Sequence, residues 1–549
     1  MKRLYILLIS AIAFVSCDID IEREPYNTLT DNDFWKTEKD LAQACNRLYT
    51  ELGGFSNRDV YTDISYGGGP NEIGSSTFTP TNNFGPWDGA YGSIARCNKI
   101  IGSAPKALES LDEAIVNRYI GEARFFRAWL YYGMLRSYGG VPIIDKLLDL
   151  DSPELYAPRN SRTEVADFIL ADLDYAAQWL PNISDLKGSE EGRVTKTAAQ
   201  AFLSRVALYE GTRQKYRENG EHKAYLEKSK AASLAVIQSG EHMLYTKPGG
   251  DKYSNYTSSF LYEGENSKES ILASRYILDW RSHNRSYQLT RSRTLHPTRK
   301  MIDYYLADDG LPIKHSDRFQ GYVTAQSEYE NRDPRLKASV FVPFEDDWWK
   351  AGEKYVPEFS NSGTSTGYHW KKYVVISEPA DLVKGHIDYM VIRYGEVLLN
   401  YAEAVYELGG AITDADLDLS INVLRDRVDM PHLTNAFVNG TNPAGVQLNM
   451  LDEIRRERVV ELASEGFRYD DLLRWGVAHT VLNEPTKGIK NYGDAVYPLV
   501  PWDSFDKDAD DFIIIQPSAT KYFEDKHYLW PLPLVQVALN ENLVQNPGW

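Results

Sequence analysis

Two runs of apolar residues, spaced by threes and fours and each ended by a pair of glycines, constrain this chain more than any other feature. In the first, Ile115, Tyr119, Ala123, Phe126, Leu130 and Met134 fall on one helix face. The run stops at Gly139-Gly140, and Val141-Pro142 cannot continue it. In the second, Val391, Tyr394, Leu398, Tyr401, Val405 and Leu408 repeat the same steps up to Gly409-Gly410. A stripe of this width must be buried against another element. Matching partners stand nearby. Thr195 caps a helix with Ala199, Phe202, Val206 and Tyr209 on one face, and Tyr225 to Ile237 forms its partner, stopped by Gly240. Leu417 to Val428 is the partner of the second run. Nearer the start, Thr30 or Asp31 caps a helix through Phe34, Trp35, Leu41 and Leu48 to Gly53-Gly54. Another begins near Trp87 and passes Tyr91, Ile94 and Ile101. The chain therefore reads as mostly α.

Two helices per about 35–40 residues, with Ala207 and Ala404 at close-approach positions, resemble degenerate tetratricopeptide repeats. Between about 241 and 390 the pattern gives way to Gly, Asn, Ser, Tyr and Trp, with strand-like pieces such as Ser270 to Ser274. A long aromatic, irregular segment on a helical scaffold is where binding surfaces sit. No Pro/Gly/Ser linker divides the chain. Residues 31–549 thus read as one domain, a scaffold over 31–240 and 391–549 with a loop-rich insert over 241–390.

The N-terminus has the form of a secretory leader over residues 1–16, with basic Lys2 and Arg3, an apolar run from Leu4 to Val15, and Ser16 before Cys17. The apolar run is about a dozen residues, against the ~20 of a membrane span. A small residue followed by Cys17 is how a bacterial lipoprotein precursor ends, so Cys17 is the expected lipid-attachment residue, although Phe14 stands where such signals usually carry Leu. Residues 17–30 open with Asp18, Asp20, Glu22 and Glu24, an acidic, solvated tether. The net charge of −18 repels a phosphate polyanion, which excludes nucleic acid as a partner. Three cysteines do not make a disulfide scaffold. Cys45 and Cys97 are expected as buried free thiols on helices.

Several blocks then resemble the SusD/RagB family of outer-membrane nutrient-binding lipoproteins. They are Glu122 to Tyr132 with Tyr138 to Pro142, Ile392 to Ala404, Ile454 to Leu462 with Glu465 to Leu472 and Arg474-Trp475, Tyr528 to Pro533, and Gln545 to Trp549. They run in family order over the whole chain. The resemblance implies a helical fold of four tetratricopeptide-like pairs carrying a loop-rich ligand-binding half. It implies a lipid anchor facing the cell exterior and a place as a lid over a SusC-like TonB-dependent transporter. The ligand it implies is an oligo- or polysaccharide, with peptide capture as the alternative. The signature blocks are read as structural, with two or more of Arg455, Arg456, Glu457, Arg458, Glu461 and Glu465 forming interhelix ion pairs and a few forming a solvated face.

A sugar is held by flat aromatic rings against its C–H faces and by polar groups at its rim. Three segments have that composition. The first is Tyr66 to Trp87, with Asn71 and Phe84; the second is Tyr276 to His296, with Trp280, His283, Arg285 and Tyr287. The third is Trp348-Trp349 with Tyr368-His369-Trp370, and of the adjacent pair one ring is expected to be exposed. The residues singled out as ligand contacts are Tyr66, Asn71, Phe84, Trp280, His283, Arg285, Tyr287 and Trp348. Trp87 shares a helix face with Tyr91 and Ile94 and is expected in the core.

No enzyme is expected. Gly363 to Gly367 matches a nucleophile-elbow pattern around Ser365, but no apolar strand precedes it and no helix follows. The adjacent acids Asp346-Asp347, Asp470-Asp471 and Asp510-Asp511 read as solvated charge rather than as a carboxylate pair across a cleft. Asp506, Asp508 and Asp510 begin a calcium loop, yet Asp511 replaces its turn glycine and Pro517 its bidentate glutamate. No cofactor is expected, and at most a weak calcium site.

Overall fold

The computed structural model describes residues 31, 34–80, 85–218, 220–347, 352–361, 363–375 and 381–549. Cys17, Phe84 and Trp348 lie outside them. Helix α1 (Glu38–Asn46) begins later than the sequence implies, because Thr37 forms a capping box with Asp40. Asp31 instead accepts from the Trp35 indole at 3.0 Å and pairs with Lys99 and Lys106. Five long helices follow: α2 (Trp87–Ser103), α3 (Glu113–Tyr138), α4 (Arg162–Trp179), α5 (Lys196–Arg213) and α6 (Lys223–Gln238). Each packs on the next, and α6 then packs on the later helix Tyr394–Gly409. This is a stack of helix pairs of tetratricopeptide-like form.

The stack is stapled from inside. Arg127 of α3 grips Asp172 of α4 at 2.7 and 2.8 Å, and Arg162 of α4 holds Glu210 of α5 at 2.8 Å. A charge buried without a partner is costly, so these pairs fix which helix faces which. The end of α3 is equally specified. At Gly140 a Cβ would lie 2.1 Å from the Asn160 carbonyl oxygen, so only glycine lets the chain pass. Cys45 and Cys97 are free and buried on α1 and α2, and Trp87 is in the core.

The middle of the chain holds short elements: α7 (Arg285–Thr290), α8 (Arg299–Tyr304) and α9 (Asp381–Lys384) among turns and single bridges. The scaffold resumes with α10 (Tyr394–Gly409), α11 (Met450–Glu461) and α12 (Arg468–Arg474). Val391, expected on the α10 stripe, belongs instead to a strand. The strands form three small sheets. Strand β1 (Ser65–Tyr66) pairs with β3 (His296–Pro297), and β2 (Ser270–Ser274) pairs with β4 (Tyr389–Arg393). Strands β5 (Thr486–Lys490) and β6 (Asp506–Lys507) flank β7 (Phe512–Gln516). All are antiparallel. Leu417 to Val428 splits into two short helices, Asp414–Asp418 and Ile421–Asp426.

Insert and scaffold are locked together by a buried charge cluster. Glu461 of α11 receives Arg335 at 3.1 Å, Arg393 at 2.8 Å and Arg427 at 2.5 Å. Glu457 holds Arg335 and Arg425, Glu465 holds Lys372 and Arg393, and Glu269 holds Arg393 and Arg427. Asp333 holds Arg335, so the cations and carboxylates balance. Burial opposes ionisation of Glu461, and Arg427 and Arg393 overcome it, holding its carboxyl well below the usual range. The expectation of a partly solvated face is corrected here. Arg455 pairs with Glu407, Arg458 with Asp471, and Arg456 with Glu453 on its own helix. Asp470 and Asp471 are likewise buried, held by Arg58 and Arg136 and by Arg458 and Arg474, rather than solvated.

Candidate ligand-binding surface

The first two aromatic segments meet at the β1–β3 ribbon, and His369 of the third lies against His296 there, ring centroids 4.9 Å apart. The first segment supplies β1 and the second supplies β3. The loop Gly363 to Gly367 lies behind both: the Thr366 hydroxyl donates to the Pro297 carbonyl at 2.7 Å, and the Ser365 hydroxyl to the Tyr66 carbonyl at 3.5 Å. Beyond β1 the chain runs against the second segment again. A Cβ at Gly68 would stand 3.3 Å from the Arg293 carbonyl oxygen.

From this base the second segment projects a small hairpin. Ile277 and Arg281 exchange backbone hydrogen bonds of 3.0 and 2.9 Å, and Asp279 takes a left-handed backbone at its tip. Arg281 lies over the Tyr276 ring at 4.6 Å and donates to the Ser274 hydroxyl and the Arg275 carbonyl. Lys384 of α9 pairs with Asp279 at 2.9 Å. The fixed tip holds Trp280 almost wholly in solvent, 91% exposed, with Ile277, Leu278, Tyr287 and Val383 also exposed. Contiguous exposed apolar surface of this kind marks an interaction site.

The other sequence-derived candidates are placed differently. Tyr66 and Arg285 are buried. Arg285 spans from the insert to the scaffold, donating to Asn57 at 2.6 Å and to Ser464 at 3.0 and 3.1 Å, so its guanidinium braces the base of the surface rather than its rim. Asn71 folds its own loop, accepting from the Gly74 amide at 2.7 Å and donating to the Val60 carbonyl. His283 lies beneath the hairpin against Phe55 and Tyr276. Burial pushes its imidazole down to about 4, with the Ile387 carbonyl opposing, so it is neutral at physiological pH. Tyr368, His369 and Trp370 are core residues, His369 bonding the Tyr355 hydroxyl at 2.8 Å. What sequence reasoning missed is the apolar company of Trp280, Ile277 and Leu278. The signal was present: two large apolar residues in a five-residue turn.

Ser365 does acquire a histidine, with Oγ 3.0 Å from His296 Nδ1. Both are buried, His296 Nε2 finds no hydrogen-bond partner among the described residues, and burial holds the imidazole far below its normal range. The geometry is a packing pair: a base needs a usable pKa, an orienting group and access for substrate. Asp508, central to the calcium-like loop, accepts from Lys487 at 2.6 Å and from the amides of Asp510 and Phe512, closing the β6–β7 turn. Among the described residues no group of three His, Cys, Asp or Glu side chains is placed to hold a metal. Nor is any helix among them long and apolar enough to cross a membrane.

A helical-repeat scaffold presenting an exposed aromatic ridge on a loop-built face defines a binding-protein architecture. The chain belongs to the SusD family, whose model matches residues 246–549. A second family model, described as starch-binding associating with outer membrane, matches residues 34–208. The chain is similar to SusD-like protein P38 of Formosa agariphila, 27% identical over 515 residues, 88% of this chain and 93% of that protein. It is also similar to a SusD-like protein of Bacteroides ovatus, 25% identical, with 86% and 82% covered. Among solved structures, a SusD-like carbohydrate-binding protein from Bacteroides fragilis superposes with a TM-score of 0.78 at 24% identity, covering 93% of this chain and 100% of that one. A laminarin-binding SusD-like protein gives 0.63 at 20% identity, with 94% and 100% covered.

Proposed function

We propose that this protein is a surface lipoprotein, anchored in the outer membrane through Cys17, that captures an oligo- or polysaccharide without transforming it. In this reading it delivers the glycan to a SusC-like TonB-dependent transporter. The observation that carries the reading is the Trp280 ring, held out in solvent on a hairpin pinned at both its backbone and its tip. Nothing in the core needs that ring. A flat face fixed in advance offers stacking to sugar C–H groups at little entropic cost. The carbohydrate-binding and laminarin-binding relatives, so described, support a glycan as the ligand class. A capture protein needs no catalytic group, and the buried Ser365–His296 pair supplies none that substrate can reach.

The test is calorimetry of the soluble protein, starting after Cys17, against a panel of polysaccharides, oligosaccharides and peptides, with products analysed by chromatography. Saturable binding to one glycan class without cleavage is the expected result. Binding to peptides alone would move the ligand class, and release of shortened glycans would overturn the non-catalytic reading.

A further inference from the structure

A concavity lies beside the β1–β3 ribbon, and none of its wall residues belongs to the Trp280 hairpin. It encloses about 420 Å³ and is walled by Asp63 and Thr298 from the ends of the ribbon, by Arg299, Lys300, Asp303 and Tyr304 of α8, and by Arg456, Glu484, Thr486, Lys487 and Lys521. That volume lies within the ~300–1,000 Å³ of small-ligand sites. In a chain of net charge −18, its wall carries more cations than carboxylates. Carboxylates just behind the wall offset most of these cations, so an anion would be drawn by whichever cation is left unpaired.

The wall charges are already engaged, with one exception. Arg299 is held by Glu328 at 2.5 Å and by Asp303; Lys300 by Glu484; Arg456 by Glu453 at 3.2 Å; Lys487 by Asp508 at 2.6 Å. Asp63 is taken by both forks of Arg468 at 2.9 Å. The Lys521 ammonium alone among these cations makes no side-chain hydrogen bond or close ion pair with a described residue, although Asp63 and Glu484 act on it through space. Its backbone is nonetheless fixed, its own amide donating to Ser518 and the following amide to Gly74, each within 3.0 Å. A half-buried ammonium on a fixed backbone, facing a cavity and unpaired, can offer a charge-assisted hydrogen bond to an anionic oxygen that enters. Burial lowers its pKa to about 8, with Asp63 opposing, so it stays cationic at neutral pH.

We propose that this cavity is a binding site for a small oxyanion-bearing ligand, a carboxylate or a sulfate group, held by Lys521. The site stands apart from neutral-glycan capture, so the proposal can fail while that reading holds. The probes are inorganic sulfate, glucuronate and glucose, titrated calorimetrically into the soluble chain at pH 7. One equivalent of sulfate or glucuronate is expected to bind and glucose is not. Tighter binding of glucuronate than of sulfate assigns the anion to an acidic sugar; equal binding assigns it to the free oxyanion. Lys521→Met is expected to weaken the anion about 10- to 100-fold, the range of a hydrogen bond to a charged group, and Lys521→Arg to retain most of it. A readout on the unmutated protein runs beside it. Saturating sulfate or glucuronate is expected to protect Lys521 from acetylation by an activated ester, followed by mass spectrometry, and glucose is not. Labelling unchanged by either anion, or anion binding undiminished in a folded Lys521→Met chain, overturns the proposal.

Discussion

Replacing Trp280 with alanine separates recognition from stability. The side chain is 91% exposed, and its backbone amide is bonded to Ile277 whatever the side chain, so folding does not depend on the ring. The free protein should lose no more than about 0.5 kcal/mol, the usual bound for surface changes. On capture, one face of the ring is covered. Taking ~100 Å² as that face and ~25 cal/mol per Å² as the burial coefficient gives ~2.5 kcal/mol, or about 70-fold in Kd. Trp280→Phe keeps a smaller flat face and should retain most of the affinity. The assay is calorimetry with the best glycan from the panel, paired with a urea melt of each variant. Two results refute the reasoning: affinity unchanged within twofold in Trp280→Ala, or a stability loss above about 1 kcal/mol, which would make the ring part of the core.

Other predictions concern the frame. Glu461→Gln leaves Arg335, Arg393 and Arg427 around a neutral group, and should cost about 3–5 kcal/mol in urea unfolding. Asp346→Asn, which frees only the exposed Lys354, should leave the urea midpoint essentially unchanged; equal shifts for the two would defeat the burial argument. Gly140→Ala forces a Cβ into the Asn160 carbonyl and should lower the melting temperature by several degrees, an unchanged melt arguing against the close approach. His283 and His369, with folded pKa values of about 4 and about 3 against 6.5 when unfolded, are neutral in the native state. Below pH 6.5 the unfolded chain binds more protons than the folded one, so stability should fall steadily as pH drops from 6.5 towards 4; a flat melting temperature over that window would contradict their burial.

The scaffold was legible because helix stripes are local. The periodicity of 115–134 and the glycines at 139 and 140 needed nothing distant to be read. Its misreadings have physical causes. Strand β4 is buried on both faces, so it lacks the alternation that separates strand from helix, and Val391 merged into the α10 stripe. Helix α4 carried a readable start, the capping box of Ser161 and Glu164, that the apolar pattern alone did not flag. In the candidate surface, composition identified Trp280 but also Arg285 and Tyr66. The burial of Arg285 depends on Asn57 and Ser464 and that of Tyr66 on His296 and Ser365, all about two to three hundred residues away, which no local pattern encodes. Asp470 fails the solvated reading for the same reason: Arg58 and Arg136 come from the far end of the chain, whereas the partners of Asp471, Arg458 and Arg474, are near it in sequence.

The charge cluster around Glu461 also bears on the order in which the chain can commit to its fold. Its cations at 335, 372 and 393 emerge during synthesis before the glutamates at 457, 461 and 465 exist. Until those three arrive, only Asp333 beside Arg335 and Glu269 beside Arg393 offset these cations, and Lys372 has no carboxylate of the cluster to meet. A fragment ending before residue 457 is therefore expected to hold the insert on the scaffold less firmly, as faster limited proteolysis of residues 241–390 would show. The last sixth of the polypeptide supplies the latch for residues 241–390. That makes truncation before residue 457 more damaging to the closed insert than loss of an exposed loop such as the one carrying Asp346.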